Sequence, residues 1–399
     1  MADPATVLPD EPHGADARRR RAHDTTGLTV LIIGAGAIGA LVGGKLAQAG
    51  HAVTLVGRPH FAQAIDAAGL ELRDERGAHH LRNVAAAGSI AQALTVAAAQ
   101  ETHFDIAILT VKSYDTNEAL AELADALETT GTEPPVFCSF QNGVGNEDQI
   151  AARFGAHRVI AGTLTTPVTV PAVGVIQVEK PRYTMGLGSW DTAQPIAALA
   201  DLERALHQAG FDVTLYPDAR AMKWTKLLMN MLGNATSAIL DATPQQVFAD
   251  PDLLNIEIDA WREAFAVMRG LGITPVDLDG YPLSRVPRLI RYAPKGLLRV
   301  VLRKLIGNAR GGKMPSLHID LHSGKKTSEV DWLNGAVVQG GRTCRIPTPV
   351  NQVLTETMHR LSCGDAAHLA LWRQNSLRLL VSVEEMRHRK QTEANAAAS

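Results

Sequence analysis

The chain has 399 residues, and its 39 lysines and arginines nearly balance 41 aspartates and glutamates, which gives a formal net charge of −2 at pH 7. The length is sufficient for two domains with substantial cores, and the balanced charge gives no reason to expect nucleic acid or an anionic membrane as a partner. The three cysteines are too few and too scattered for a disulfide scaffold or a cysteine-rich zinc site. We therefore expect a reducing, cytoplasmic setting, and the sequence predicts no metal site.

The N-terminal segment, residues 1–27, is rich in Pro, Asp, Ala and Arg without hydrophobic periodicity, which predicts a disordered tail. An alternative is export, because arginines at positions 18–21 followed by an apolar stretch resemble a twin-arginine signal. The glycines of that stretch fall at nucleotide-binding spacing, however, and cleavage after Ala49 would destroy the first folding unit, so we favour the tail. No segment has about twenty apolar residues without glycine interruption, so no membrane span is expected.

The stretch from residue 28 to residue 58 predicts a dinucleotide-binding β-α-β unit. The apolar run 28–33 is typical of a buried parallel strand, and a second such run, 51–56, arrives at the distance that completes the unit. Between them the chain reads Gly34-Ala35-Gly36-Ala37-Ile38-Gly39. In this spacing the first glycine permits a tight turn, the second lets a pyrophosphate approach the backbone, and the third lets the helix pack on the strand. The N–H groups at the start of that helix would face the phosphates.

The residue at the end of the second predicted strand indicates which cofactor is used. An NAD site usually carries Asp or Glu there, to accept hydrogen bonds from the ribose 2′-hydroxyl. This chain has Arg58, whose planar cationic group suits a 2′-phosphate. The alternative is a solvated surface arginine, but the position favours NADP(H).

Two later strands end in polar residues at the sheet edge where open α/β sheets bind ligands. The apolar run 104–111 ends at Lys112, and the run 135–140 leads into Gln141-Asn142-Gly143. Lys112 and Asn142 are therefore candidates to contact the nicotinamide or a substrate. The alternatives are an ordinary loop lysine and a common Asn-Gly turn.

Shorter elements complete the predicted N-terminal domain, which ends near residue 217. A hairpin is expected within 69–82, an amphipathic helix at 196–209 and a last strand at 211–215. The β stretches at 158–161, 174–178 and 183–187 are expected to extend the sheet, the later ones antiparallel.

From residue 218 the pattern is helical, up to an Ala-rich end at 391–399 that is expected to fray. A helix over 221–234 places Lys226, Asn230 and Asn234 at i, i+4 and i+8, on one polar stripe of a mostly apolar helix. Such buried polar groups need partners, and a cleft against the first domain would supply them. The alternative is a polar network that only locks the domains together.

Two further features mark the helical domain. A helix with Glu329 near its N-terminus is expected, where a carboxylate could simply complement the helix dipole. The segment 280–313 carries nine cations and no acid. Its run from 297 to 306 looks helical and amphipathic. A membrane-surface helix is one interpretation, but packing on the helical domain or on a second subunit is preferred.

These residues together resemble the 2-dehydropantoate 2-reductase (ketopantoate reductase) family, over about residues 28–361. The glycine motif is shared with many dehydrogenases, whereas the spaced Lys-Asn-Asn helix followed by a glutamate motif is much more specific. The resemblance rests on these segments: the glycine motif, Thr110-Val111-Lys112, Gln141-Asn142-Gly143-Val144-Gly145-Asn146, Trp224-Thr225-Lys226-Leu227 with the two asparagines, and Glu329-Val330-Asp331-Trp332-Leu333-Asn334-Gly335.

The resemblance implies an α/β protein with a Rossmann-type domain at 28–217 and an all-helical domain, similar to that of 6-phosphogluconate dehydrogenases, at 218–390. It implies NADPH-dependent reduction of 2-dehydropantoate to (R)-pantoate, a step toward pantothenate and coenzyme A. Lys226 would be the catalytic acid, and Asn230 and Asn234 would hold the substrate hydroxyl.

The resemblance assigns the remaining candidates as well. Ser316 would contact the substrate carboxylate, Asn142 would lie between substrate and nicotinamide, and Lys112 and Glu329 would lie on the cofactor and substrate side. The alternatives are reduction of another 2-oxo acid and a non-catalytic NADP(H)-binding sensor. A small 2-oxo acid is the expected partner, and a homodimer is compatible with the sequence.

Overall fold

The computed structural model describes residues 27–398, except 180–181, 194–195, 279, 307–313 and 365. The predicted tail before Gly27, the arginines at 18–21 and the end of the basic insertion lie outside the described residues. Each helix among the described residues is too short or too polar to span a lipid bilayer.

Twelve strands lie in the described N-terminal half, and most coincide with the apolar runs of the sequence. Their bounds are β1 (Thr29–Ile33), β2 (Ala52–Val56), β3 (Leu70–Asp74), β4 (Gly77–Leu81), β5 (Val84–Ala87), β6 (Ile106–Leu109), β7 (Val136–Ser139), β8 (Val159–Leu164), β9 (Val168–Ala172), β10 (Val175–Val178), β11 (Thr184–Ser189) and β12 (Asp212–Leu215).

Eight of these strands form the main sheet, in the order β12-β11-β8-β7-β6-β1-β2-β5. Along this sheet, the six neighbouring strands β8, β7, β6, β1, β2 and β5 are parallel to one another, whereas β11 is antiparallel to β8. The chain leaves β1 on one side toward β2 and β5 and returns on the other side to β6, β7 and β8. This is the doubly wound arrangement of dinucleotide-binding domains, and it places a crevice at the carboxyl ends of β1 and β6.

Helices cover both faces of this sheet. They are α1 (Ala37–Gln48), α2 (Pro59–Ala68), α3 (Ile90–Ala99), α4 (Thr116–Thr130), α5 (Asn146–Phe154) and α6 (Ala197–Gln208). The two sides of the sheet belong to separate apolar clusters, one around Ile32 and Leu55 and the other around Leu31 and Phe137. The fully apolar strands of the sequence are explained by this burial on both faces.

The structure corrects two details of this domain. The stretch at 174–178 does not extend the main sheet, because β10 pairs with β3 and β9 in a second sheet of order β4-β3-β10-β9. The edge strand β5, Val-Ala-Ala-Ala, was not predicted, since alanine is depleted in strands and the residues around it read as helical. The hairpin expected within 69–82 is confirmed as β3 and β4.

Beyond β12 the described residues contain helices, turns and an isolated bridge between Leu278 and Tyr281. The helices are α7 (Ala219–Met231), α8 (Asn234–Leu240), α9 (Pro244–Ala249), α10 (Pro251–Gly270), α11 (Val286–Tyr292), α12 (Lys295–Ile306), α13 (Ser316–His322), α14 (Asn334–Cys344), α15 (Pro349–Cys363), α16 (Ala366–Trp372) and α17 (Ser376–Ala398). The predicted change from sheet to helices at 217–218 falls in the connection between β12 and α7.

The prediction of a single helix over 221–234 is wrong. The helix is interrupted at Gly233, which adopts a left-handed φ of 63°, and Asn234 begins α8 instead of ending α7. The buried Glu257 of α10 stabilises the break, because its carboxylate accepts hydrogen bonds from Gly233 N at 2.7 Å and from the Thr236 hydroxyl at 2.5 Å. That partner is distant in sequence, so the periodicity of 221–234 gave no sign of it.

The described part of the basic insertion forms α11 and α12, and it packs on α10. Leu298 is buried in the core of the helical domain, and Lys295 Nζ lies 2.7 Å from Asp259 Oδ2. Arg262 of α10 donates hydrogen bonds to the carbonyls of Ile290 and Ala293. Packing on the helical domain is thereby confirmed for these residues.

The C-terminal end differs from the sequence-based expectation. Helix α17 continues to Ala398 and so covers most of the segment 391–399 that was expected to fray. Alanine, glutamate and glutamine are good helix formers, which is sufficient to extend a helix already anchored by its buried residues Leu379 and Val383.

Candidate active site

The glycine turn after β1 fits a bound pyrophosphate. Gly34 has a φ of 105°, and a Cβ there would lie 2.6 Å from Val111 N, so only glycine can be accommodated. A Cβ at Gly39 would collide with the Gly34 carbonyl, whereas a Cβ at Gly36 would meet nothing within 4 Å. No side chain caps the start of α1. The turn therefore presents open space and a helix N-terminus, which together favour an anion.

Arg58 stands beside this turn. Ala35 N donates a hydrogen bond of 2.8 Å to Val56 O, which holds the end of β2 against the glycine motif. Arg58 follows two residues later as the residue before α2, and its side chain is exposed. A cationic group at this strand end is in the place where the 2′-substituent of a bound dinucleotide is recognised.

Lys112 links the two domains through two carboxylates of the helical domain. Its Nζ lies 2.8 Å from Glu329 Oε2 and 3.1 Å from Asp320 Oδ2. Burial alone would lower the pKa of Lys112, but the charges and hydrogen bonds of Glu329 and Asp320 outweigh it and raise that pKa above its usual range. Asp320 also pairs with Lys325 at 2.6 Å. Lys112 is therefore a permanent cation at the crevice.

Glu329 does not simply cap a helix, as one interpretation of the sequence held. It begins a short 3₁₀ turn that precedes α14. Its Oε1 accepts a hydrogen bond from Ser113 N at 3.3 Å, while Oε2 holds Lys112. The carboxylate of Glu329 thus fixes the end of β6 against the helical domain.

The loop that carries Asn142 is packed between the domains. Gly143 has a φ of 80°, and a Cβ there would collide with the backbone of Trp332. The Asn142 carbonyl accepts hydrogen bonds from Ser113 Oγ at 3.0 Å and Asn146 Nδ2 at 3.1 Å. The backbone of Asn142 is therefore held from two sides while its side chain faces the helical domain.

The predicted stripe on α7 meets this loop. Asn230 Nδ2 donates to Asn142 Oδ1 at 3.1 Å, and Asn234 Nδ2 donates to Asn230 O at 3.1 Å. Asn234 Oδ1 accepts from Leu317 N at 3.2 Å, next to Ser316 at the start of α13. Lys226 lies one turn before Asn230 on the same face of α7 and is partly buried. Despite the break at Gly233, Asn230 contacts the first domain, and Asn234 connects Asn230 to the start of α13.

A second lysine of α7 was missed. Lys223 is fully buried, with Nζ 2.9 Å from Glu147 Oε1 and 2.6 Å from Gln141 O. The Gln141 carbonyl immediately precedes Asn142, so this lysine anchors the base of the Asn142 loop. The apolar residues around position 223 in the sequence predict that the helix is buried, but they do not indicate which group pairs with the charge of Lys223.

Other residues of the interface were also missed. Asp320 lies four residues after Ser316 on the short helix α13, a spacing that would have placed it near the same surface. Ser113 and Asn146 flank candidates that the sequence did identify. Their roles depend on hydrogen bonds with backbone groups that folding brings close to them. No pattern in the sequence predicts those hydrogen bonds.

Comparison with known proteins decides the family. The family model described as "Ketopantoate reductase PanE/ApbA" matches residues 30–192, and its C-terminal counterpart matches residues 218–362. The chain belongs to the ketopantoate reductase family. As a member of the ketopantoate reductases it is a dinucleotide-dependent oxidoreductase that acts on a small keto acid. The α/β fold followed by a helical domain, expected from the resemblance, is confirmed.

Individual proteins that are similar to this chain are also ketopantoate reductases. The 2-dehydropantoate 2-reductase of Pyrococcus horikoshii is 28% identical over 328 residues, which cover 82% of this chain and 95% of the relative. The crystal structure of a PanE/ApbA family ketopantoate reductase from Ralstonia eutropha has 27% identity and a TM-score of 0.68, and covers 84% of this chain and 98% of its own.

The fold alone does not select the substrate within this ketopantoate reductase family. D-mandelate dehydrogenase, solved with NADH and anilino(oxo)acetate, also has a TM-score of 0.68, at 19% identity, and covers 84% of this chain and 98% of its own. At that identity the likeness shows the fold only. The choice of substrate and cofactor therefore depends on the residues of the site.

Proposed function

We propose that this protein reduces 2-dehydropantoate to (R)-pantoate with NADPH, a step toward pantothenate and coenzyme A in the cytoplasm. The observation that carries the proposal is the meeting of Asn142 and Asn230 across the domain interface, at a hydrogen-bond distance of 3.1 Å. It brings the carboxyl edge of the dinucleotide-binding sheet to the face of α7 that carries Lys226. The relatives named 2-dehydropantoate 2-reductase support the choice of substrate.

Bound NADPH would supply the hydride for the substrate ketone. Negative charge then develops on the carbonyl oxygen, where a cation with a transferable proton is needed. In this proposal Lys226 donates that proton, because its ammonium group is both a cation and a proton donor. Asn230 and Asn234 orient the substrate hydroxyl, and Ser316 receives its carboxylate. Neutral amides position the substrate without competing for the charge.

Lys112 has a different part in the proposed function. Its two carboxylate partners hold it across the interface as a fixed cation, so it is suited to orienting the cofactor and substrate but not to donating a proton. Glu329 keeps both Lys112 and Ser113 in place and, through Ser113, the backbone of Asn142.

A second candidate function is the reduction of another 2-oxo acid by the same residues. The similar fold of D-mandelate dehydrogenase and the insertion that forms α11 and α12 favour considering it. A non-catalytic NADP(H) sensor is disfavoured, since a sensor needs no lysine beside the paired asparagines.

The cofactor preference is tested through Arg58. A charged contact to the 2′-phosphate contributes about 1.5–3 kcal/mol, so the native protein should prefer NADPH over NADH by about ten- to a hundredfold in kcat/KM. Arg58→Ala should reduce this preference by a similar factor without changing the kinetics with NADH. Equal kcat/KM values for the two cofactors in the native protein would contradict the assignment.

The substrate is tested by NADPH oxidation across a panel of 2-oxo acids that includes 2-dehydropantoate, pyruvate, 2-oxoisovalerate and phenylglyoxylate. The proposal expects the highest kcat/KM for 2-dehydropantoate, whose hydroxyl the asparagines would hold. A higher value for 2-oxoisovalerate, which lacks that hydroxyl, would favour the second candidate function. Oxidation of none of them would favour the sensor.

A further inference from the structure

Two histidines and an aspartate converge on the side of α13 away from Lys112. His318 and His322 are separated by one helical turn, and their rings stack with centroids 4.1 Å apart. Asp241 follows α8 directly and adopts a left-handed backbone conformation with a φ of 49°. The nearest ligand atoms of these three residues all lie within 4.8 Å of one another.

The distances suit a bound ion after a small adjustment. His318 Nε2 lies 2.7 Å, and His322 Nε2 lies 3.9 Å, from the same oxygen, Asp241 Oδ1. In a tetrahedral zinc site, with metal–ligand distances of about 2.0–2.2 Å, two ligand atoms are separated by about 3.3 Å. The observed pair of distances brackets that value, so shifts of about half an ångström in the side chains suffice.

The surroundings of the cluster support ligation. Arg373 Nε binds the other carboxylate oxygen, Asp241 Oδ2, at 2.9 Å, which orients Oδ1 toward the histidines. His322 Nε2 lies 3.3 Å from the Ala238 carbonyl, a contact that ligation would replace. The side chains are 12–29% exposed, so an ion can reach them from solvent.

We propose that Asp241, His318 and His322 bind a single transition-metal ion, with Zn²⁺ as the best match. Two imidazoles at i, i+4 and one carboxylate are a donor set that zinc accepts, and a fourth position would remain for water. The ion connects the end of α8 to α13. Both helices also reach the candidate active site, α8 through Asn234 and α13 through Leu317 N and Asp320. The ion therefore stiffens the wall of the cleft that carries Ser316.

The test is titration of the full chain, freed of any histidine tag and of metal, with Zn²⁺ alone. Isothermal calorimetry should give one Zn²⁺ per chain, and Zn²⁺ should raise the melting temperature. His318→Gln and His322→Gln should each weaken binding at least about tenfold and remove the thermal shift. Melting temperatures in EDTA close to that of the native chain would show that these variants fold.

The matched control is His359→Gln. His359 also pairs with an aspartate, Asp331, at 2.9 Å, but on an exposed surface and without a second histidine in that pair. Its replacement should leave Zn²⁺ binding unchanged. The proposal is overturned if the native chain shows no saturable binding, or if binding persists unchanged in His318→Gln and His322→Gln.

Discussion

Two parts of the domain interface use lysine in opposite ways. In the closed part, Lys223 of the helical domain reaches into the first domain and pairs with Glu147, and neither side chain is more than 2% exposed. In the open part, Lys112 of the first domain pairs with Glu329 and Asp320, and its side chain is 36% exposed. A charge sealed from water can only hold the domains together, whereas a charge at an open crevice is available to a ligand. Lys226, only one turn from Lys223, is partly buried and not sealed from water.

The largest expected effect is on catalysis. Lys226→Ala should lower kcat by about 10²–10⁴-fold, the usual range for loss of a general acid. The Kd for NADPH should change little, because the proposed function places the phosphates at the glycine turn. Steady-state kinetics and NADPH fluorescence titration measure the two quantities. Near-native kcat, or a loss of activity explained by unfolding, would mean that the polar stripe is structural.

The next effect is on stability at the closed part. Lys223→Met leaves the carboxylate of Glu147 buried without its cation, and breaking such a pair costs about 3–5 kcal/mol in the free energy of unfolding. The double variant with Glu147→Met should recover most of the loss. Urea unfolding monitored by circular dichroism measures these differences.

The control for Lys223 is an exposed pair between the same two helices. Arg220 Nη2 lies 3.4 Å from Asp148 Oδ1, and both side chains are 55% exposed. Arg220→Ala should cost about 1 kcal/mol or less, because exposed ion pairs contribute little. Equal costs for Lys223→Met and Arg220→Ala would remove the distinction between closed and open parts.

A smaller stability effect is expected at Lys112. Lys112→Met should cost about 1–3 kcal/mol in the free energy of unfolding, because Lys325 still neutralises Asp320, whereas the buried carboxylate of Glu329 loses its cation and retains the Ser113 N–H. The variant should also raise the KM for substrate or cofactor. The raised pKa of Lys112 stabilises the fold below the ordinary lysine pKa of about 10.4, and that contribution is lost only at higher pH. The difference from the native protein should therefore be constant from about pH 6 to 9, and a marked change within that window would contradict the assignment.

The sequence predicted the open part better than the closed part. Gly34 to Gly39, Arg58, Lys112 and Asn142 could be placed because strands of a parallel sheet bring their carboxyl ends to one edge. Asn230 could be placed because the helical period puts it one turn from Lys226. Local periodicity and one rule of sheet topology are sufficient to place these residues.

The features that sequence could not predict depend on distant partners. The break at Gly233 is stabilised by the carboxylate of Glu257, and the role of Lys223 depends on Glu147 and the Gln141 carbonyl. Asp320 is a residue of the domain interface because it pairs with Lys112, which lies more than two hundred residues earlier in the chain. Periodicity describes which face of an element is buried, but it does not say which buried charge will meet which.

The most direct test of the proposed function is a single turnover of the native protein loaded with NADPH and mixed with 2-dehydropantoate. Loss of the reduced-nicotinamide absorbance and chiral chromatography of the product report the reaction. We expect one pantoate formed per NADPH oxidised, in the R configuration, and a much slower turnover in Lys226→Ala. NADPH that binds but is not oxidised by 2-dehydropantoate would contradict it.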